Sequence, residues 1–253
     1  MSEIEILGSF NLDPRPQSAA EIIAATKLPR STVFRSLRLL IDAGFLYQQS
    51  TSKRYVLGPR MLQLGMLAKR QLSGEDLIAP PLLDLVHQTG ESVTFSILDI
   101  PYRICAYVLE APSDLRQVVQ VGARYPLHLG AAGKAILAYL PADLVDSLCL
   151  HEGLTKSETT NVKRDLGQVI EKGWIVTTGE RVLGATSIAA PVFVGDSIYG
   201  SVAVVGPTDR MASLLERHRP AVQKAAKSLT DLFTMRAHSN GAAATARPRR
   251  SRG

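Results

Sequence analysis

Apolar residues recur at helical spacing between residues 28 and 42. The apolar members fall on one side of such a helix, and they are Val33, Leu37, Leu40 and Ile41. Polar residues spaced four, three and four apart fall on another side, and they are Ser31, Arg35, Arg38 and Asp42. The pattern predicts a helix that packs through one face and presents two arginines on another.

A second, shorter helix is predicted just upstream. Ser18 and Glu21 have the spacing of a capping box, and the helix that they open buries Ile22 and Ile23. Residues 24–27 are expected to form a turn before Pro29. Two short helices joined by a tight turn predict a helix-turn-helix.

The segment after these helices predicts a β-hairpin. Gly44 ends the second helix, residues 45–48 and 54–57 have strand character, and the polar residues 49–53 lie between them. A hairpin at this place is the wing of a winged helix. Residues 1–57 are therefore predicted to be a winged helix-turn-helix domain.

Residues 58–73 are predicted to be a linker. Gly58 and Pro59 close the wing, and residues 60–70 then have helical character with apolar positions on more than one side. Such a helix needs two partners, so we interpret it as a linker that packs on its own domain and also dimerises. The alternative is a helix buried within one monomer.

Helices and strands alternate in residues 74–237. Strands are predicted as two hairpins, over residues 92–108 and 187–205, with a further strand at 174–177. Helices are predicted over residues 75–88, 131–139, 142–149, 158–172 and 209–235. Antiparallel pairs with helices between them favour an α+β sandwich over a doubly wound sheet.

Positive charge is concentrated at the two ends of the chain. Residues 1–60 hold 8 Lys and Arg against 5 Asp and Glu, whereas residues 61–235 hold 16 against 18. Residues 236–253 hold 5 basic and no acidic residues. Contact with DNA phosphates requires cations at the place of contact. Residues 1–60 are therefore predicted to bind DNA, and residues 61–235 are predicted to have a different function. Residues 238–253 lack apolar periodicity and are expected to be a disordered basic tail.

Several classes of protein are disfavoured. The chain has neither a signal-peptide pattern nor an apolar run of membrane-spanning length, and its only cysteines are Cys105 and Cys149. We therefore expect a cytoplasmic protein without a metal site or cofactor, with both thiols in the core. The sequence at Gly130 lacks two residues of a phosphate-binding loop, and the five histidines are scattered. No catalytic residue is assigned, and an enzyme is not expected.

Five segments in order resemble the IclR-type transcriptional regulators. They are residues 30–37, 44–46, 55–60, 126–138 and 187–193, and the resemblance extends over about residues 4–235. It implies an α+β architecture with an N-terminal winged helix-turn-helix, a linker helix and a C-terminal GAF-like α/β effector-binding domain. It also implies a homodimer, or a dimer of dimers, on a near-palindromic DNA operator.

Seven residues of the first domain are DNA-binding candidates. They are Arg30, Ser31, Thr32, Arg35, Arg38, Lys53 and Arg54. Arg35 and Arg38 are predicted to reach base edges or phosphates in the major groove, Ser31 and Thr32 to bind phosphate, and the two wing residues to hold the flanking backbone. Phe34 is expected in the core or facing a second subunit.

The resemblance also implies a small-molecule site. Its candidate residues are Gly130, Ala131, Ala132, Thr177, Ser187, Ala203 and Val205. Glycine-rich backbone at a helix start offers N–H donors to an anion. Thr177 stands where relatives that bind small keto acids have a carboxylate, and Ala203 and Val205 replace hydroxyl residues. These departures favour a hydrophobic or aromatic carboxylic acid as effector.

Alternatives remain for the individual effector candidates and for the function of the whole chain. In the alternative interpretation, Gly130 and Ala131 have no role beyond close helix packing, and Ser187 is an ordinary strand hydroxyl. For the whole chain, the alternative to a ligand-responsive transcriptional regulator is a non-specific architectural nucleic-acid-binding protein, which the basic tail supports. An enzyme with an appended regulatory domain is a third class, and the absence of catalytic motifs argues against it.

Overall fold

The computed structural model describes residues 2–10, 15–73, 75–112 and 119–245. The chain divides into two compact units, residues 1–75 and 76–253. Each unit has its own hydrophobic core.

The N-terminal unit is a winged helix-turn-helix. Its helices are α1 (Ser2–Ser9), α2 (Ala19–Thr26), α3 (Arg30–Asp42) and α4 (Pro59–Ser73), and its strands are β1 (Leu46–Gln48) and β2 (Tyr55–Leu57). The predicted apolar face of α3 is buried, with Val33, Leu37 and Leu40 packed against Ile6 and Ile22. The burial of this face explains why the spacing of apolar residues predicted α3 correctly.

The boundaries of α2 differ slightly from the prediction. The capping box between Ser18 and Glu21 is present in both directions, as expected. The helix continues to Thr26, so residues 24–26 are not a turn. Lys27 ends the helix with φ +55°, and its N–H donates to the Ile23 carbonyl. The turn between α2 and α3 is therefore shorter than predicted.

The wing is held against the end of α3 by close backbone packing. β1 and β2 are antiparallel, with Tyr47 opposite Val56. A Cβ atom at Gly58 would overlap the carbonyl oxygen of Gly44, so a larger residue does not fit there. The Gly58 N–H donates to the Phe45 carbonyl at 2.7 Å, which fixes the exit of the wing into α4.

The C-terminal unit is built on one antiparallel sheet of six strands. Its elements are α5 (Glu75–Thr89), β3 (Ser92–Asp99), β4 (Tyr102–Leu109), β5 (Arg124–Pro126), α6 (Gly130–Leu137), α7 (Ala142–His151), α8 (Lys156–Lys172), β6 (Ile175–Thr178), β7 (Ala185–Val194), β8 (Ser197–Pro207) and α9 (Thr208–Thr245). The strand order is β5-β4-β3-β8-β7-β6. The predicted α+β class and both hairpins are confirmed, whereas the three-residue β5 was not predicted.

Small residues bring α6 close to this sheet. Ala131, Ala135, Ala189 and Ala203 form one buried cluster between α6 and strands β7 and β8. A Cβ atom at Gly133 would overlap the Leu127 carbonyl oxygen, so the start of α6 also requires glycine at that position. The beginning of α6 is thus positioned directly beside the central strands.

The predicted disorder from residue 238 onward is wrong for its first part. The closing helix α9 continues to Thr245, beyond the expected end at residue 235. Alanines at 242–244 favour helix, which explains the extension without an apolar stripe. The rest of the predicted tail, residues 246–253, lies outside the described residues. Among the helices of the described part, none has the length and apolar character to cross a membrane.

Candidate DNA-binding surface and effector cavity

The polar face of α3 is exposed, as its sequence pattern predicted. Ser31, Arg35 and Arg38 are exposed, and Thr32 is half-buried. Neither Arg35 nor Arg38 forms an ion pair with another described residue. Both guanidinium groups are therefore available for contact with an external anion.

Arg30 and Phe34 form a pair on the same helix. The Arg30 guanidinium lies 5.5 Å from the centre of the Phe34 ring. Phe34 is 43% exposed, so within this chain it is not a core residue. Of the two expected positions, the core is thus wrong, and contact with a second subunit stays a prediction.

The two candidate residues of the wing have different surroundings. Lys53 is exposed and has a left-handed backbone conformation with φ +56°. Arg54 Nη1 donates to the Pro16 carbonyl at 2.8 Å and to Glu21 Oε2 at 2.9 Å. Lys53 is thus free to approach phosphate, whereas Arg54 is engaged within its own domain.

All seven effector candidates line one cavity of the C-terminal unit. Gly130, Ala131 and Ala132 come from the start of α6, and the other four come from strands β6, β7 and β8. The free volume is about 40 Å³. The structure therefore brings together residues that are up to 75 positions apart in the sequence.

Two backbone N–H groups at the start of α6 already have internal acceptors. Gly130 N–H donates to Glu180 Oε2, and Ala131 N–H donates to Thr177 Oγ1, both at 2.9 Å. Gly130 has φ +76°, a conformation that glycine adopts without strain. These N–H groups are otherwise unpaired at a helix start, where partial positive charge attracts anions. The hydroxyl hydrogen of Thr177 remains available to a ligand, because no described residue accepts it.

Lys134 lies one turn into α6 and is surrounded by acidic groups. Its side chain is 5% exposed and its Nζ donates to Asp165 Oδ2 at 2.8 Å and to Glu180 Oε1. Glu180 therefore joins the Lys134 ammonium to the Gly130 N–H. Ser201 Oγ donates to the Ala132 carbonyl at 2.8 Å and fixes α6 from the sheet side.

Arg103 is a buried cation in the wall of the same cavity. It is 5% exposed, and its Nη1 donates to Ser96 Oγ at 2.9 Å. Its Nε has no hydrogen-bond partner among the described residues, and no described carboxylate forms an ion pair with it. Burial, with a smaller effect from the positive charge of Arg181, lowers the pKa of Arg103 to about 10, so it remains a cation at neutral pH.

Arg181 extends this positive region. The Arg103 and Arg181 guanidinium groups lie 4.8 and 5.0 Å from the centre of the Tyr125 ring. Arg181 also lines the cavity and has no ion pair with a described residue. An aromatic ring thus stabilises two guanidinium groups that are not neutralised by acidic side chains of the described part.

Both units match models of one protein family. The model "IclR helix-turn-helix domain" matches residues 4–50. The model "Bacterial transcriptional regulator IclR C-terminal" matches residues 71–231, more than half of the chain. The chain belongs to the IclR family of bacterial transcriptional regulators. The resemblance noted in the sequence is thereby confirmed.

Individual IclR relatives agree with this assignment. The glycerol operon regulatory protein of Streptomyces griseus is 32% identical over 200 residues, which cover 76% of this chain and 78% of that protein. The HTH-type transcriptional repressor AllR of Escherichia coli K12 is 28% identical over 244 residues, covering 93% and 90%. The IclR-type regulator of a Silicibacter species shares the fold, with a TM-score of 0.83, 24% identity and coverage of 92% and 95%.

Sequence reasoning about the IclR motifs missed Arg103, Glu180 and Arg181. One signal was visible for Arg103, because it is the only charged residue of the strand predicted over residues 103–108. A charged residue at such a position is buried or lies at an edge, and burial requires a partner. No comparable pattern marks Glu180 or Arg181, which lie in the loop between β6 and β7.

The described residues lack both a candidate metal-binding cluster and an exposed cysteine thiol. They contain no group of three or more His, Cys, Asp and Glu side chains that could hold a metal ion. Cys105 and Cys149 are buried, as predicted. Burial raises the pKa of Cys105 to about 11, which leaves its thiol protonated and unreactive at neutral pH.

Proposed function

We propose that this chain is a cytoplasmic, ligand-responsive repressor or activator. Its N-terminal unit binds a near-palindromic operator, and a small organic anion in the C-terminal cavity changes the affinity for that operator. The observation that carries the ligand class is the buried guanidinium of Arg103. It lines the cavity beside the start of α6 and has no acidic partner among the described residues.

Electrostatics favour an anion over a neutral ligand. A buried cation without a counter-ion is costly, and an incoming carboxylate would offset that cost. The N–H groups of Gly130 and Ala131 add partial positive charge, and Thr177 offers a hydroxyl donor. Planar guanidinium groups such as that of Arg103 bind carboxylates through two parallel hydrogen bonds.

The rest of the wall favours an apolar body on that anion. Val119, Ala131, Ala132, Ala203 and Val205 line the cavity without side-chain donors or acceptors. An aromatic carboxylate combines the required charge with apolar surface. An IclR homologue of Microbacterium hydrocarbonoxydans, of the same fold at 20% identity, was crystallised with 4-hydroxybenzoate. A protein of this fold can therefore hold a ligand of that class.

Binding of such a ligand requires the cavity to open. Pockets for small ligands usually measure ~300–1,000 Å³, whereas the free volume here is about 40 Å³. Side chains of the wall must move, and Glu180 and Val182 in the loop after β6 are its exposed members. A ligand that favours one arrangement of the wall can shift the equilibrium between DNA-binding states.

Helix α4 supports a dimer. Four large apolar side chains of this helix are exposed, Leu62 to 68%, Met66 to 56%, Leu67 to 46% and Leu64 to 43%. We propose that a second copy of the chain covers them, because a symmetric dimer places two recognition helices on a near-palindrome. Light scattering of the wild type and of Leu62→Glu tests this, and a monomeric wild type would refute it. Mass also distinguishes a dimer from a dimer of dimers.

The operator is identified first. Purified full-length protein selects genomic DNA fragments at near-physiological salt, and the retained fragments are sequenced. Enrichment of a short inverted repeat supports a specific regulator. Uniform retention that disappears with added salt would favour the architectural alternative, since phosphate contact alone gives salt-dependent and sequence-independent binding.

The ligand class is then tested on that operator. Benzoate, 4-hydroxybenzoate and phenylacetate, each with its matched amide, are titrated against the protein–operator complex. We expect at least one acid and none of the amides to change operator affinity, and Arg103→Met to abolish the response. Arg124→Met is the control, because Arg124 is an exposed arginine of β5 paired with Asp99. An unchanged response in Arg103→Met would refute the role of Arg103.

A further inference from the structure

We propose that Glu180 is an internal competitor of the effector carboxylate and thereby sets the ligand concentration at which the protein responds. This inference rests on the proposed function, because it concerns the same cavity. Glu180 lines the cavity together with Arg103 and the first residues of α6. Its carboxylate occupies the position in which an anionic ligand would be bound.

Glu180 contacts the start of α6 at Gly130. The N–H of Gly130 at the start of α6 has no acceptor within the helix, and it donates to Glu180 Oε2 at 2.9 Å. A ligand carboxylate that reaches the α6 start needs the same donor. Two carboxylates at one N–H repel each other, so the ligand and Glu180 exclude each other from this position.

A second observation points independently to an anionic ligand. Arg103 is 5% exposed, lines the cavity and has a buried Nε without a hydrogen-bond partner in the described part of the chain. Glu180 does not form an ion pair with Arg103, since its oxygens contact Gly130 and Lys134. The cavity therefore holds an unneutralised cation and a helix start that is already occupied by an internal anion.

Glu180 can move away while Lys134 keeps a counter-ion. The buried Lys134 ammonium also donates to Asp165 Oδ2 at 2.8 Å and keeps that counter-ion when Glu180 departs. Asp165 is also held by Arg164, whose Nε lies 3.8 Å from Asp165 Oδ1, whereas Glu180 pairs only with Lys134 among the described residues. The Glu180 side chain is 28% exposed, so it has access to water. Glu180 is thus the carboxylate that is replaced at the smallest cost.

Replacement of Glu180 depends on the charge of the ligand. A neutral ligand does not compete for Gly130 N–H with the strength of a carboxylate, because hydrogen bonds to an ionised acceptor are stronger. Only an anion can replace Glu180 effectively. Removal of the Glu180 charge should strengthen the binding of acids and leave the binding of their amides nearly unchanged.

The test uses the full-length protein and three variants. Dissociation constants for benzoate, 4-hydroxybenzoate and phenylacetate, and for their amides, are measured by calorimetry for wild type, Glu180→Gln, Glu180→Ala and Asp165→Asn. Asp165→Asn is the matched control, because it also removes a carboxylate from Lys134 but at a residue that does not line the cavity. Circular dichroism melting establishes that each variant is folded, and Glu180→Ala repeats the test if the glutamine variant does not fold.

We expect both Glu180 variants to bind at least one acid about tenfold or more tightly than wild type, with the amides unchanged. Asp165→Asn should stay within about twofold of wild type. Equal or weaker acid binding by the Glu180 variants overturns this inference and leaves the proposed ligand class intact. Failure of every acid to bind any of the four proteins overturns both. A tenfold gain in Asp165→Asn as well overturns the specific role of Glu180, since any charge removed near Lys134 would then suffice.

Discussion

The Arg54 guanidinium donates to the Glu21 carboxylate, with 2.9 Å between Nη1 and Oε2. The same nitrogen donates to the Pro16 carbonyl at 2.8 Å. The wing is thereby joined to the start of α2 and to the segment before it. The neighbouring Lys53 has no such partner among the described residues. The sequence analysis predicted that Lys53 and Arg54 both hold the flanking DNA backbone. Their surroundings in the structure lead us to expect different roles for them.

Substitution of these two residues should separate DNA affinity from stability. Lys53→Ala should weaken operator binding, reduce the dependence of log K on log salt by ~1 and leave the melting temperature unchanged. Arg54→Ala should lower the melting temperature of the N-terminal unit by ~1–4 °C, because the Pro16 carbonyl loses its donor. Operator titrations at several salt concentrations and thermal melts of both variants measure this. A salt slope altered only in Arg54→Ala would contradict the distinction.

Arg35→Ala should weaken operator binding by ~1–3 kcal/mol without affecting folding. Arg35 is exposed on the polar face of α3 and pairs with no described acidic residue, so its removal costs no ion pair within the described part of the chain. Fluorescence anisotropy with the selected operator measures the change. Arg164→Ala controls for the loss of one positive charge, because Arg164 lies on α8 of the other unit and is 66% exposed. Unchanged affinity in Arg35→Ala would remove Arg35 from the DNA-binding candidates.

The fold was predictable where one local pattern dominates. Val33, Leu37 and Leu40 repeat on one helical face, and the Ser18–Glu21 capping box fixes a helix start within four residues. Strand β5 was not predictable, because three residues are too few for an alternating pattern and their pairing with β4 is a long-range contact. The extension of α9 beyond residue 235 was missed for a different reason. Helix propensity, and not amphipathicity, continues that helix.

The site was only partly predictable. Resemblance to relatives supplied Gly130, Thr177 and Ser187, because they stand in recognisable segments or at fixed distances from them. Arg103 and Glu180 come from a different strand and a loop, and only folding brings them to the start of α6. The importance of Arg103 depends on its burial and on its missing hydrogen-bond partner, and that of Glu180 depends on the donors that it binds. Neither burial nor hydrogen-bond partners can be derived from a single sequence.

Thr177→Val should destabilise the C-terminal unit by ~1–3 kcal/mol. Valine preserves the shape of the side chain but removes the oxygen that accepts the hydrogen bond from Ala131 N–H, which would be left buried without a partner. Chemical denaturation measures the free energy of unfolding. Thr178→Val is the control, because Thr178 is the exposed next residue of β6 and, within the described part of the chain, its hydroxyl forms a hydrogen bond only with Thr186. Equal stability of Thr177→Val and wild type would show that Ala131 N–H finds another acceptor.

The C-terminal unit should lose stability as pH falls below about 6.5, and His218 should account for a large part of the loss. His218 on α9 is 1% exposed, and its Nδ1 has no hydrogen-bond partner in the described part of the chain. Burial lowers the pKa of His218 below 6.5, although the nearby Glu91 carboxylate acts in the opposite direction and Arg217 adds to the decrease. The folded unit therefore keeps this imidazole neutral.

The sign of the effect follows from proton linkage. Below pH 6.5 the unfolded chain protonates His218 before the folded unit does, so the unfolded state binds more protons and stability decreases with falling pH. His128 is shifted in the same direction, mainly by burial, and contributes a parallel loss. Thermal melts between pH 7.5 and 5.5 should show a decrease in the wild type and a smaller one in His218→Gln. His151→Gln, at an exposed histidine of α7, should retain the full dependence. A wild-type melting temperature that is constant over this range would mean that protonation of His218 is tolerated in the folded unit.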